Sequence, residues 1–211
     1  MRGRGAAIRN VVFDLGGVLV DWRPQALIDA FYSEAELRAA LRREAFQHAD
    51  WVDFDRGTLD EATVGARIAA RLGRPQGELA LLFERIRDML QPVPDAVEIV
   101  RGLRARGGLS LYVLSNMAEP IFRHIEKRSG FFDLFDGIVI SGAIRLVKPE
   151  PAIFEHLAQR FAIAPRETVF IDDMPANVAA ARGLGFAGIR FETVEQCRRE
   201  LGELIGDAPT S

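Results

Sequence analysis

Asn10-Val11-Val12-Phe13-Asp14-Leu15-Gly16-Gly17-Val18-Leu19 is the stretch that decides the fold. Val11, Val12 and Phe13 form a short apolar run, the pattern of a strand buried on both faces of a parallel sheet. Asp14 closes the run. A carboxylate at the carboxyl end of a buried strand is poorly solvated, so it needs a partner or a function. Gly16 and Gly17 follow at once; they permit a sharp turn and leave room for a ligand to approach the backbone. Taken alone, the stretch fits equally a strand whose Asp caps a turn. Later stretches of the chain supply the chemistry that decides between the two.

Immediately downstream, Val20 to Pro24 reads as a loop, and from Gln25 to about Leu90 the pattern turns helical. Ala26, Leu27, Ala30 and Phe31 recur at helical spacing, as do Leu37, Ala40 and Leu41. Ser33 followed by Glu36 has the form of a capping box. Thr58-Leu59-Asp60-Glu61 reads as a third helix start, and Leu79, Leu82, Phe83 and Ile86 mark a fourth helix. Gln47 to Phe54, polar and aromatic, reads as the specificity element, with a plain helix–helix connection as the alternative. A small helical bundle is therefore expected between the first strand and the second. Pro92-Val93-Pro94 ends it.

From Asp95 onward, helix and strand alternate. Strands are expected over 109–114, 137–140, 168–171 and 187–191, with helices over 95–106, 119–127, 149–161, 176–184 and 194–205. That alternation implies an α/β fold: a parallel sheet with helices on both faces, whose ligand site lies at the carboxyl ends of the strands. Asp14, Ser115, Asn116, Asp172 and Asp173 cluster there, and Lys148 lies in the segment after the third strand.

Carboxylates converging at strand ends would repel one another in a low dielectric. A hard divalent cation resolves this, and magnesium keeps positions open for a substrate phosphate. Asp14 and Asp173 are the expected direct ligands. Asp172 acts through water or orients a neighbour; alternatively the Asp172-Asp173 pair caps the next helix. Lys148 offers a point charge to a phosphoryl oxygen or to Asp14, and Ser115 and Asn116 offer hydroxyl, amide and backbone donors. His48, His124 and His156 show neither metal-ligand spacing nor a serine partner.

In these motifs the chain resembles the haloacid dehalogenase-like hydrolase superfamily: Phe13-Asp14-Leu15-Gly16-Gly17-Val18, then Leu114-Ser115-Asn116, then Lys148-Pro149, then Ile171-Asp172-Asp173 with Asn177. The resemblance implies a Rossmann-like core over residues 1–21 and 92–211 and an inserted helical C1 cap over 22–91. It implies that Asp14 is the nucleophile of a phosphatase and forms an aspartyl-phosphate. Lys148 would steady Asp14 and the phosphate, Ser115, Asn116 and Gly17 would meet the phosphate, and Asp14, Asp173, Asp172 and the carbonyl of Gly16 would surround Mg2+. One position departs from the pattern. Most phosphatases of the family carry a second Asp two residues after the nucleophile as general acid and base, a group worth about 10²–10⁴-fold. Here that residue is Gly16. The variant resembles a branch of sugar-phosphate phosphatases that includes enzymes acting on glucose 1-phosphate, and it favours anomeric, acyl or aryl phosphates, whose leaving groups are less basic. Asp21, His48, Asp53 and Asp55 are the candidates to replace the acid. Trp22 and Arg23 are placed at the entrance.

The leading expectation is thus a magnesium-dependent phosphatase of a small phosphorylated metabolite. A dehalogenase would use the same Asp14 on carbon without metal, but the Asp172-Asp173 pair would repel an anionic haloacid. A binding or regulatory protein is the reading that Gly16 alone allows. The bulk composition agrees with a globular chain of one domain plus an insertion: 211 residues, 48% hydrophobic and 27% charged. A net charge of -3 gives no broad basic field for nucleic acid. The basic start Met1–Gly5 is brief and reads as a frayed end. Cys197 is the single cysteine, so no disulfide forms within the chain. No apolar run reaches membrane-spanning length. A soluble cytoplasmic monomer or homodimer is expected, with neither a nucleic-acid nor a membrane partner.

Overall fold

The structure, a computed structural model, describes residues 6–206. The basic start Met1–Gly5 lies outside the described residues. The chain opens with strand β1 (Asn10–Phe13) and then runs through helices α1 (Pro24–Phe31), α2 (Ala35–Leu41), α3 (Ala49–Arg56), α4 (Glu61–Leu72) and α5 (Gln76–Met89). A π-helical turn, Arg42–Phe46, joins α2 to α3. Next come α6 (Pro94–Arg106), β2 (Ser110–Ser115), α7 (Glu119–Arg128), β3 (Gly137–Ile140) and α8 (Ser141–Ile144). The chain finishes with α9 (Pro151–Arg160), β4 (Thr168–Asp172), α10 (Pro175–Gly183), β5 (Ala187–Arg190) and α11 (Val194–Ile205).

The strands form one five-stranded sheet in the order β3-β2-β1-β4-β5, and every pairing is parallel. β1 is central: Phe13 pairs with Val113 on one side and Ile171 on the other. Side chains alternate between the faces, as a pleated strand requires. Val11, Phe13, Val113, Val169 and Ile171 pack toward Val100, Ile121 and Leu201 of α6, α7 and α11. Val12, Tyr112, Leu114 and Phe170 pack on the opposite face against Phe154, Leu157 and Ala181 of α9 and α10. Burial on both faces is the reason β1 and β4 read as unbroken apolar runs. The expected α/β fold is thereby realised, and the carboxyl ends of β1, β2 and β4 meet side by side.

Two local expectations are corrected. The helical insertion holds five α-helices and a π-turn, because Gln47–Phe54 is mostly helix and not a connection. His48 caps α3 by accepting a hydrogen bond at Nδ1 from Asp50 N–H (3.1 Å), and Gly57, at φ +76°, ends it. Trp51 and Phe54 are its buried apolar residues, three apart and so on one face. The capping box at Ser33 and Glu36 does not form. The helix starts one residue later, with Glu34 in the N-cap position and no side-chain cap bond. Asp60 does cap α4, accepting from Thr63 N–H at 2.7 Å. Among the described residues, no helix is long and apolar enough to cross a membrane.

Candidate active site

The central position of β1 puts Asp14 at the middle of the sheet's carboxyl edge. One oxygen each of Asp14, Asp172 and Asp173 lies within 4.8 Å of the others. Lys148 sits among them, nearly sealed from solvent. Its Nζ is 2.9 Å from Asp14 Oδ1 and 2.7 Å from Asp172 Oδ2, and it donates a further 2.9 Å bond to the Leu114 carbonyl. Burial pulls the ammonium toward neutrality, but the two carboxylates outweigh it and raise its pKa.

Local turns hold this arrangement. Asn116 donates from Nδ2 to the Lys148 carbonyl and accepts at Oδ1 from Lys148 N–H, both at 2.8 Å. The amide of Asn116 therefore clamps the backbone that carries Lys148. Asp172 is fully occupied: Oδ1 accepts from Met174 N–H and Asn177 Nδ2, and Oδ2 from Lys148 and Asn177. It orients its neighbours, and its bond from Met174 N–H also secures the entry to α10. Asp14 Oδ1 additionally accepts from Leu15 N–H at 2.7 Å.

The carboxylates are undercompensated. Burial, together with Asp172 and Asp173, raises Asp14 to about 7 despite Lys148. Burial and Asp172 raise Asp173 as well. Gly17 makes the close approach of Asp173 possible: at φ +75°, a Cβ there would lie 2.7 Å from Asp173 Oδ2. Gly16 is different. A Cβ on it would meet Trp22 Cβ at 3.4 Å, an ordinary contact.

A cavity of about 240 Å3 opens above these groups. Asp14, Gly16, Asn116, Lys148, Asp173 and Asn177 line its floor. The helical insertion contributes Trp22, Phe46, Trp51, Phe54, Ile86 and Leu90, together with Asp55. Of the four candidates for the missing acid, Asp55 alone lines this cavity. Asp21 pairs with Arg23 at the surface, and His48 is spent on capping α3. Burial pushes the Asp55 carboxyl up to about 8, against a backbone hydrogen bond from Ala118 that lowers it. α3 is anchored to the sheet side by Ser141 Oγ–H, which donates to the Asp55 carbonyl at 2.5 Å, and by paired Arg56–Glu150 bonds of 2.9 and 2.7 Å.

The expected site residues thus divide. Asp14, Lys148, Asn116, Gly16 and Asp173 meet at the cavity. Asp172 lies behind them, and Ser115 is buried at the end of β2, outside the lining. Trp22 faces the cavity as expected, while Arg23 turns outward. Met117 and Met174 line the cavity without having been anticipated; each follows a strand-end motif by one or two residues, which was the available signal. Cys197 is buried, with its thiol pushed up to about 12, and is no nucleophile.

Comparison with known proteins agrees with this geometry. A family model described as haloacid dehalogenase-like hydrolase matches residues 8–185. A sesquiterpene phosphatase of Aspergillus oryzae, astK, is 29% identical over 94% of this chain and 97% of its own length. A D-ribitol-5-phosphate phosphatase of Bacteroides thetaiotaomicron is 26% identical over 94% of this chain and 98% of its own. An (S)-2-haloacid dehalogenase of Xanthobacter autotrophicus is 24% identical over 90% of this chain and 77% of its own. A crystal structure of a HAD family enzyme from Bacteroides thetaiotaomicron, in complex with magnesium and inorganic phosphate, superposes with a TM-score of 0.70 at 23% identity, covering 88% of this chain and 95% of that one.

Proposed function

The chain belongs to the haloacid dehalogenase-like hydrolase family, and on that premise we propose that it is a magnesium-dependent phosphatase acting on a small phosphorylated compound through an aspartyl-phosphate on Asp14. The observation that carries this reading is the crowding of three carboxylates within 4.8 Å around a single buried lysine. The phosphatase relatives support hydrolysis of a phosphate monoester, and the magnesium-bound structural neighbour supports the choice of metal.

The donor set fits Mg2+: hard carboxylate oxygens whose protonation is favoured in its absence, beside Gly16, which lines the same cavity. Asp14, Asp173 and the Gly16 carbonyl would hold it, with Asp172 positioning Lys148 and Asn177. When bound, the ion supplies the positive charge that the carboxylates lack and offsets charge on the phosphoryl oxygens. Lys148 and Leu15 N–H hold Asp14 Oδ1, so Oδ2 is the attacking atom. Asp14 Oδ2 bonds to phosphorus as the ester P–O bond breaks. Asp55 gives its proton to the departing oxygen. Water then attacks phosphorus, its proton passes to the Asp55 carboxylate, the Asp14 Oδ2–P bond breaks, and inorganic phosphate leaves with Asp14 restored as a carboxylate. Ser115 lies beneath the phosphate site, on the strand next to Asp14. Residues 22–91 act as a cap that sheds water from the reacting group.

The dehalogenase relatives use a name for a different reaction. Against that reading, Asp173 beside Asp14 would meet a haloacid carboxylate with like charge. Release of p-nitrophenol from p-nitrophenyl phosphate, with Mg2+ and with EDTA, tests the proposal. Metal-dependent release is expected; chloride release from 2-chloropropionate with no phosphatase activity would overturn it.

A further inference from the structure

Resting on the phosphatase reading, we infer that the group esterified to the phosphate is a hydrocarbon, a ring or short chain without hydroxyls, and not a sugar. The polar groups of the cavity lie almost entirely on its floor. There Asn116 spends its amide on the Lys148 backbone, and Asn177 spends its own on Asp172. Apart from two indole N–H groups, Asp55 is the one polar side chain that the helical wall contributes. The rest of that wall is rings and alkyl chains.

Those rings brace one another. Trp22 and Trp51 stack with centroids 6.1 Å apart, Phe46 lies 4.7 Å from Trp51, and Phe83 stacks behind Trp51 at 6.0 Å. Ile86 and Leu90 of the α5 segment complete the surface. A braced wall loses little freedom when a ligand enters, so burial of hydrocarbon is realised as affinity. A sugar here would exchange its water contacts for ring faces, leaving hydroxyls without partners.

Two matched ligands separate the cases. Cyclohexylmethyl phosphate and glucose 6-phosphate are both primary esters on six-membered rings and differ in the sugar's hydroxyls and ring oxygen. With Mg2+ present, kcat/KM is expected to favour the hydrocarbon by about 100-fold or more, since each unpaired buried hydroxyl is worth roughly 5- to 150-fold. Along a series of straight-chain alkyl phosphates, kcat/KM should rise about fourfold per added CH2 until the cavity is full. Both tryptophans of the chain line the cavity, so intrinsic fluorescence reports its occupancy independently of turnover. Cyclohexylmethylphosphonate should change it at about 100-fold lower concentration than the phosphonate analogue of glucose 6-phosphate. Equal or better binding of the sugar analogue overturns the inference. Acetyl phosphate, too small to reach the wall, reports the chemistry alone. If it is turned over while the sugar ester beats the cyclohexyl ester, the hydrocarbon inference fails and the phosphatase reading stands. If acetyl phosphate is inert with Mg2+, the phosphatase reading fails, and the fluorescence titration still decides the wall's preference.

Discussion

Ser141 donates its hydroxyl hydrogen to the backbone carbonyl of Asp55 at 2.5 Å, joining the first turn after β3 to the end of α3. The same oxygen accepts from Met117 N–H at 2.8 Å, and Ser141 is completely buried. Ser141→Ala leaves a carbonyl and an amide unsatisfied at once. Urea denaturation should show a loss of about 1–3 kcal/mol. Turnover should fall as well, because the Asp55 backbone is then free to shift.

Asp55 sets a pH limit. Its carboxyl is raised from 3.8 to about 8, so it retains its proton through neutrality and can donate it. Turnover of alkyl phosphates should decline above pH 8. In Asp55→Asn the alkyl rate should drop by about 10²-fold or more, while the first-turnover burst of p-nitrophenol from p-nitrophenyl phosphate, whose leaving group needs no proton, should survive and only the following steady state should slow. Stability follows the same group. A raised folded-state pKa contributes stability that is fully present below about pH 4 and is lost as pH rises through 8. Thermal melts of Asp55→Asn should therefore lack this part of the alkaline loss and exceed the parent protein above pH 8.

Gly17→Ala tests the approach of Asp173. The new methyl would press on the carboxylate from 2.7 Å at a φ of +75°. The Mg2+ concentration giving half-maximal activity should rise about 10- to 100-fold, read by titrating activity against MgCl2.

Gly16→Asp tests the vacant acid position. Its Cβ meets Trp22 at an ordinary 3.4 Å, so the variant should fold with an unchanged melting temperature to within a few degrees. Because Asp55 already supplies and recovers the proton, the variant's rate on alkyl phosphates should stay close to the parent's. A rise of about tenfold or more across pH 5–8 would mean that Asp55 does not fill the role.

Lys148→Met removes the one cation from a buried group of carboxylates. Breaking such a pair costs about 3–5 kcal/mol, and phosphatase activity should be lost. The stability deficit, measured by urea titration, should shrink when Mg2+ is added.

The sheet was readable in the chain because its strands are buried on both faces. Val11-Val12-Phe13 and Val169-Phe170-Ile171 could not alternate with polar residues, and their carboxyl ends marked the site. The boundaries of α11 were readable too, and in the structure Thr193 and Gln196 exchange capping bonds at its start. α3 was not, because it is short, buries only Trp51 and Phe54 of its apolar residues while Val52 stays exposed, and begins at a histidine cap, a weak signal. The acid position was narrowed to four residues and no further. Which one reaches the cavity depends on how α3 lies against the sheet, and neither spacing nor composition encodes that contact. The Ser33–Glu36 pattern shows the opposite error: a motif with the right letters, displaced by one residue from the helix it was meant to start.

The position of β1 at the centre of the sheet has a consequence during synthesis. Phe13 is made early, but its two neighbours, Val113 and Ile171, emerge from the ribosome much later. The central strand has no partner until β2 has been translated, and its second edge stays open until β4 follows. Pairings this distant in sequence also slow the search for the native arrangement. No nascent fragment ending before Asp173 can assemble the charged cluster, so hydrolytic capacity arrives only with the last third of the polypeptide.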